Sequence, residues 1–133
     1  MTKLLSLKVP RGWAILDNKF FDVDPIKADN DDWIVNWYEG FIEDVLWIDE
    51  CQILEGGKMG IPNTNYFNID LGWYPDSSKK GKYTLRLNWV STEGAIEIDY
   101  LSDKDRFIIK EKLEYWLEDI KKNYSKYKPK IEQ

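Results

Sequence analysis

Three carboxylates alternate with large aromatic side chains in the first half of the chain, and these residue types could do chemistry. The carboxylates are Glu39, Glu43 and Asp44, and the rings beside them are Trp37, Phe41 and Trp47. Paired carboxylates protonate and attack the glycosidic bond in glycosidases. Acids spaced four and five residues apart are also common on exposed faces of ordinary domains. A carbohydrate-binding or carbohydrate-active domain that uses Trp37, Trp47 and the nearby carboxylates is therefore one alternative for this chain.

Two other segments resemble ligand-binding motifs without completing them. Residues 29–32 begin like a calcium loop, but Trp33 occupies the third ligand position, and the required Gly and distal Glu are missing. Residues 56–60 place Lys58 among glycines but lack the spacing and the Ser or Thr of a phosphate-binding loop. We therefore expect a solvated turn or a helix start at the first segment and a flexible surface loop at the second, and we predict no metal and no cofactor.

The chain contains no histidine and one cysteine, Cys51. The absence of histidine excludes Ser-His-Asp and Cys-His catalysis and the usual His-containing zinc sites. A single cysteine excludes a disulfide within the chain. Cys51 follows Asp49 and Glu50, and because neighbouring carboxylates oppose formation of the reactive thiolate, we expect an inert, packed thiol. We predict that the protein is not an enzyme.

Charge is divided unevenly along the chain, whose formal net charge is −5. Residues 17–55 hold twelve Asp or Glu against two Lys, with seven large aromatic residues among them, whereas the remainder carries an excess of cations. Because nucleic-acid binding needs aromatic residues beside cations, we predict no direct contact between this region and nucleic acid. An acidic face with aromatic anchors is suited to a basic protein. In the competing interpretation several rings belong to the core: Phe20, Phe21, Trp33 and Trp47.

Length and composition fit one domain. A chain of 133 residues with 43% apolar residues can bury a single core. We predict one α+β domain over residues 1–124 and a lysine-rich, frayed tail over residues 125–133. The apolar runs are far shorter than the roughly 20 residues that span a bilayer, and the first ten residues lack the features of a signal peptide. These features predict no membrane contact and a cytoplasmic location.

The second half of the chain has the two-residue alternation of half-buried strands. Apolar and polar residues alternate over residues 66–73, 83–89 and 96–100, with turn residues between the segments. This pattern predicts three consecutive strands in an antiparallel meander. A helix follows, and we predict that Ser102 caps it, with Asp105 three residues on. The apolar stripe that should pack on the sheet is Ile109, Leu113, Trp116, Leu117, Ile120 and Tyr124.

The first half is less regular. Residues 13–16 and 20–23 suggest a hairpin, and residues 4–9 could add an edge strand. Two interpretations of residues 31–48 stay open, because their apolar spacing fits a helical face while a Glu-Gly pair within them also suits a tight hairpin. We favour a short helix or loop followed by a strand over residues 44–48. The chain as a whole predicts an α+β fold, with about five to six strands in an antiparallel β-sheet and the C-terminal amphipathic helix packed on one face.

Five short blocks and a closing amphipathic helix carry a resemblance that covers most of the chain. The blocks are PRGW at 10–13, NKFFDVDP at 18–25, EDVLW at 43–47, IDLGWYP at 69–75 and GKYTLRL at 81–87. With these blocks in this order, the chain resembles a group of small bacterial immunity proteins that neutralise polymorphic or contact-dependent toxins. The resemblance implies a cytoplasmic α+β domain without a cofactor, which blocks the active site of its toxin or a neighbouring surface. Contact residues vary with the toxin in such proteins, so the resemblance assigns none here, and residues 28–40 fall outside its pattern.

Charge, aromatic content and this resemblance together predict an immunity protein that binds and neutralises a cognate bacterial toxin. We expect the toxin to be basic, such as a nuclease, and the contact to combine carboxylates with aromatic anchors. The predicted toxin-binding residues are Asp22, Asp24, Asp31, Asp32, Trp37, Tyr38, Glu39, Phe41, Glu43 and Asp44.

Overall fold

Seven strands and two α-helices follow one another along the part of the chain that the computed structural model describes, residues 2–130. The strands are β1 (Trp13–Asn18), β2 (Leu46–Glu50), β3 (Gln52–Ile53), β4 (Met59–Gly60), β5 (Tyr66–Tyr74), β6 (Lys82–Ser91) and β7 (Gly94–Asp103). The helices are α1 (Arg106–Lys122) and α2 (Tyr124–Tyr127).

Five of the strands form one antiparallel sheet in the order β1-β2-β5-β6-β7, while β3 and β4 pair in a separate two-stranded ribbon. The predicted meander of β5, β6 and β7 is confirmed. Phe67 on β5 lies opposite Trp89 on β6, and Leu85 on β6 lies opposite Leu101 on β7. With α1 packed on the sheet, the predicted α+β fold is confirmed as well.

Alternation along the strands separates an apolar face from a polar one. On β5, Phe67, Ile69 and Leu71 are buried in the same core as the apolar stripe of α1. Trp13 on β1 ties the sheet to the helix, because its Nε1 donates a hydrogen bond of 2.9 Å to the carbonyl oxygen of Leu117. Polar side chains of β5 and β6 point to the opposite face, since successive residues of a strand alternate between faces.

The predicted hairpin in the first half is wrong. β1 pairs with β2, which lies about thirty residues later in the chain, and residues 20–23 form no strand. Residues 4–9 contribute only an isolated bridge between Leu4 and Phe21. Phe20 is instead drawn into the core, where its ring lies 5.3 Å from the ring of Tyr83. Burial of the Phe20 ring in the core is therefore favoured over pairing of residues 20–23 with β1.

Residues 31–48 contain a short helical turn followed by a strand, which agrees with the favoured interpretation. The turn is a 3-10 helix over Trp37–Glu39, and it ends at Gly40 with a φ of 97°. A side chain at Gly40 would collide with the carbonyl oxygen of Lys19, so this close approach requires glycine. The strand, β2, begins at Leu46 rather than at the predicted Asp44.

The C-terminal helix is confirmed, but its predicted cap is wrong. Asp105 is the N-cap, and its carboxylate accepts a hydrogen bond of 2.8 Å from the backbone N–H of Phe107. Ser102 still belongs to β7, where its hydroxyl pairs with that of Thr84. Part of the predicted tail forms α2, and residues 131–133 of that tail lie outside the described residues. Within residues 2–130, neither helix is long and apolar enough to cross a bilayer.

Candidate functional site

The face of the sheet that points away from α1 carries a row of hydrogen-bonded polar side chains. Asn68 donates from Nδ2 to Oδ1 of Asp49 at 2.9 Å, and Asn88 donates from Nδ2 to Oδ1 of Asn68 at 3.0 Å. Asp70 follows on β5 and lies directly opposite Arg86 on β6. Directly opposed side chains on one face contact each other and restrict each other's positions. The row therefore holds Asp70 in a defined position on this face.

A depression of about 280 Å³ lies beside Asp70, where β1, β2 and β5 meet the loop before β2. The aromatic residues Trp47 and Tyr74 line it, together with Leu16, Leu46 and Leu71. The ammonium of Lys19 also lines it and lies 2.9 Å from Oδ2 of Asp17. The carboxylates in the lining are Asp17, Glu43, Asp44 and Asp70. The depression thus combines aromatic walls with an excess of negative charge.

Burial raises the pKa of the Asp70 carboxyl above its ordinary value. The guanidinium of Arg86 and the side-chain amide of Asn88 act in the opposite direction, because both favour the ionised form. Arg86 is shared with other groups: its Nε donates to Oε1 of Glu97 at 3.1 Å, and its guanidinium lies 5.1 Å from the centre of the Tyr74 ring. Asp70 is therefore desolvated and only partly compensated, so an added cation would stabilise its ionised form.

A second depression, of about 480 Å³, adjoins the first. Trp33 and Trp37 contribute its aromatic lining, and Asp76 adds a further carboxylate. Glu43 and Asp44 line both depressions, so the two share a rim that carries two exposed carboxylates. We call the two depressions together the acidic aromatic surface. It comprises Trp33, Trp37, Trp47 and Tyr74 with Asp17, Glu43, Asp44, Asp70 and Asp76.

Backbone hydrogen bonds hold the shared rim against β5 and against the loop that follows it. The N–H of Val45 donates to the carbonyl oxygen of Leu71 at 2.9 Å, and the N–H of Glu43 donates to Oδ2 of Asp76 at 2.9 Å. The carbonyl of Glu43 also approaches Gly72 so closely that a side chain there would collide with it. The rim is consequently fixed in place, although it belongs to no helix or strand.

Three of the predicted toxin-binding residues, Trp37, Glu43 and Asp44, line the acidic aromatic surface. Tyr38 lies next to it, exposed, with its ring edge-on to that of Trp37 at 5.7 Å. Trp37, Glu43 and Asp44 thus lie on one surface, and Tyr38 adjoins it through its contact with Trp37.

The other predicted acids lie elsewhere, and four of them, Asp22, Asp24, Asp32 and Glu39, have partners within the protein. Asp22 and Asp24 form ion pairs with Arg106, at 3.0 and 2.6 Å, and so tie the N-terminal segment to the start of α1. The carboxylate of Glu39 accepts hydrogen bonds from Thr2 and Asn36. Asp31 and Asp32 are exposed, and Asp32 accepts a hydrogen bond from the hydroxyl of Ser78 at 3.0 Å.

Phe41 cannot serve as a surface anchor, and this part of the prediction is wrong. Its side chain is 0% exposed and packs edge-on against Trp73, with ring centres 5.1 Å apart. The competing interpretation assigned four other rings to the core, and it is correct for Phe20. Phe21 is only partly buried, and Trp33 and Trp47 are exposed. The aromatic residues of this region therefore divide between core and surface.

Sequence reasoning did not select several residues of the surface, namely Asp17, Trp33, Asp70, Tyr74 and Asp76. Alternation along β5 does place Asp70 on the face away from the core. What it cannot supply is the neighbour of β5, because Trp47 lies opposite Asp70 only through the pairing of β2 with β5. The pattern within each strand therefore predicts the face on which a residue lies, but not which strands lie side by side.

Comparisons with known proteins add no identification. No protein-family model, curated protein or solved structure matches the chain. Within residues 2–130, no group of three or more His, Cys, Asp or Glu side chains is arranged to hold a metal ion.

Proposed function

We propose that this protein is an immunity protein that binds a basic toxin through the acidic aromatic surface and so neutralises it. The observation that carries the proposal is that two depressions with aromatic walls share a rim formed by Glu43 and Asp44. The sequence resemblance described above supports the same function. The inhibitor acts as a stoichiometric ligand in the cytoplasm, and it needs no cofactor for this task.

Charge supports a basic partner. The surface carries five carboxylates, and Lys19, the cation in the lining of the first depression, is already paired with Asp17. Complementary charge accelerates association and disfavours acidic partners. A lysine or arginine of the toxin that enters the first depression would meet the carboxyl of Asp70. Burial disfavours the ionised form of this carboxyl more than Arg86 and Asn88 favour it, so a further cation would stabilise the negative charge.

Exposed aromatic side chains supply the second requirement of a protein-binding surface. Trp33, Trp37 and Trp47 are each about two fifths exposed, although large rings are normally enclosed by the core. Tryptophan is enriched among residues that contribute about 2 kcal/mol or more to binding when an interface desolvates them. These rings would anchor the toxin, and the carboxylates of the rim between them would orient its basic side chains.

A co-expression assay tests the proposal. The neighbouring genes are searched for a secreted protein with a toxic C-terminal domain, and absence of such a gene would count against the proposal. The domain is then induced in a bacterial host with wild-type or variant inhibitor, and growth is measured. The double variant Glu43→Lys and Asp44→Lys should lose protection, because it reverses the charge of the shared rim. Both side chains are exposed, so the fold should survive, which circular dichroism checks.

The matched control reverses two exposed carboxylates outside the surface, Glu55→Lys with Glu93→Lys. It has the same change in net charge as the test variant and should protect as the wild type does. Full protection by the rim variant at equal expression would refute the assignment of this surface. Equal loss in both double variants would show that net charge, and not the rim, determines binding.

One observation favours a second candidate, a carbohydrate-binding domain. Trp47 and Tyr74 line the same depression as Asp70, and aromatic rings beside carboxyl groups are suited to sugars. A glycan array read with intrinsic tryptophan fluorescence separates the candidates. The immunity protein should give no saccharide response, and a response that Trp47→Ala abolishes would favour carbohydrate binding.

A further inference from the structure

A groove lies between β7 and α1, at the opposite edge of the sheet from the acidic aromatic surface. Leu101 of β7 and four residues of α1 line this depression of about 360 Å³. Two of the four are large and exposed: Ile108 at 43% and Tyr115 at 50%. The other two, Glu111 and Lys112, carry opposite charges. We call this depression the α1 groove.

The four helical residues form a stripe separate from the one that packs on the sheet. Ile108, Glu111, Lys112 and Tyr115 are spaced as i, i+3, i+4 and i+7, so they share one face of α1. The core-facing stripe contains other residues, which are Ile109, Leu113, Trp116, Leu117 and Ile120. Single exposed apolar residues need no explanation, but Ile108 and Tyr115 line one groove together with Leu101, which is apolar as well.

The order of residues along the stripe is self-complementary. When two identical helices cross antiparallel about a twofold axis, residue i of one copy meets residue j of the other, and j meets i. With the axis midway between Glu111 and Lys112, Ile108 of each copy meets Tyr115 of the other. In the same register Glu111 of each copy meets Lys112 of the other. Apolar side chains thus meet apolar ones, and each acid meets a base, on both sides of the axis.

We propose that a second copy of this chain covers the α1 groove, with the two α1 helices packed antiparallel about a twofold axis. Lys112 is positioned for this contact, because its ammonium lies 5.6 Å from the ring centre of Tyr115 and so stays at the edge of the apolar patch. The mixed charges favour a copy of the same chain over a strongly basic or strongly acidic partner. The acidic aromatic surface stays free, since it lies at β1, β2 and β5.

Charge-swapped variants test the proposal by sedimentation velocity over about a hundredfold range of protein concentration, because a dimer with a small interface dissociates on dilution. The wild-type protein should change from monomer to dimer as its concentration rises. Glu111→Lys alone places like positive charges across the axis, Lys112→Glu alone places like negative charges there, and each should weaken dimerisation roughly tenfold or more. An equimolar mixture of these two variants should regain the dimer, and so should the double swap within one chain.

Matched substitutions separate the groove from general surface hydrophobicity. Ile108→Glu should abolish the dimer, whereas Ile53→Glu, at a more exposed isoleucine on β3, should leave it unchanged. A wild type that stays monomeric over the whole range overturns the proposal, and so does a dimer that tolerates both single charge variants. Loss of the dimer should leave toxin protection intact, so this result is distinct from failure of the proposed function.

Discussion

The ammonium of Lys121 on α1 lies 3.1 Å from Oε2 of Glu50 at the end of β2, and the side chain of Glu50 is only 2% exposed. Oε1 of Glu50 accepts hydrogen bonds from the N–H of Phe67 at 3.0 Å and from the hydroxyl of Tyr124 at 2.8 Å. One buried carboxylate thus joins β2, β5 and both helices. Burial, together with this contact to Glu50, raises the pKa of the Tyr124 hydroxyl, which keeps it a donor.

Removing the cation from this pair should destabilise the protein. Lys121→Met leaves a buried carboxylate with neutral donors only, and we expect the free energy of unfolding to fall by about 1–3 kcal/mol. Urea denaturation followed by tryptophan fluorescence measures it. The control is Lys122→Met. In the wild type the ammonium of Lys122 lies 3.9 Å from Glu118 in an exposed pair, so its loss should lower the free energy of unfolding by about 0.5 kcal/mol or less. Equal losses in the two variants would contradict the assigned role of Glu50.

Phe41 should behave as a core residue and not as a binding residue. Phe41→Ala removes a fully buried ring that packs against Trp73, so we expect a loss of about 3–5 kcal/mol in the free energy of unfolding. Tyr38→Ala, three residues earlier and exposed, should cost less than about 1 kcal/mol. Denaturant titration of both variants measures the difference, and similar losses would contradict the burial of Phe41.

The start of α1 provides a test of the helix cap. Asp105→Ala should lower the free energy of unfolding by about 1 kcal/mol, because the N–H of Phe107 loses its side-chain acceptor. Ser102→Ala should cost less, since that residue lies in β7 and its hydroxyl pairs with Thr84. Thermal unfolding followed by circular dichroism at the helix signal compares the two. A larger effect at Ser102 would restore the cap predicted from the sequence.

The raised pKa of Asp70 predicts a pH-dependent effect of Asp70→Asn. Burial, the main cause, penalises the ionised carboxyl in the folded state. The contribution of Asp70 to the stability of the wild type should therefore fall as the pH rises from the ordinary pKa of aspartate through the raised pKa of Asp70. Asparagine does not ionise, so the stability of the variant relative to wild type should increase over that window and then level off. Urea denaturation at a series of pH values measures this difference, and a constant or opposite trend would contradict the prediction.

Local patterns predicted the elements of the second half. The alternation in β5, β6 and β7 depends on neighbouring residues, and consecutive strands with short turns pair with each other, so periodicity was sufficient there. The core stripe of α1 followed from helical spacing in the same way. The cap was missed because Ser102 and Asp105 are both good N-cap residues. Only the length of β7 decides between them.

The candidate site was only partly predictable, because its residues come from distant parts of the chain. Glu43, Asp44 and Trp37 could be selected from local charge and aromatic content, but their partners Asp70 and Tyr74 lie some thirty residues further along the chain. The same local composition also selected Asp22 and Asp24, which pair with Arg106 instead. Composition identifies which residues could form a site, whereas long-range strand pairing decides which of them lie on one surface.

The sequence by itself determined the fold class, the meander, the core face of α1 and the concentration of acids and rings in residues 17–55. Tertiary structure decided that β2 lies between β1 and β5, that Phe41 is enclosed and that Trp47 stands beside Asp70. The physical reason is the range of the interactions. Alternation and helical spacing act between near neighbours, whereas enclosure of a ring and the choice of a strand's partner depend on the surface buried across the whole chain.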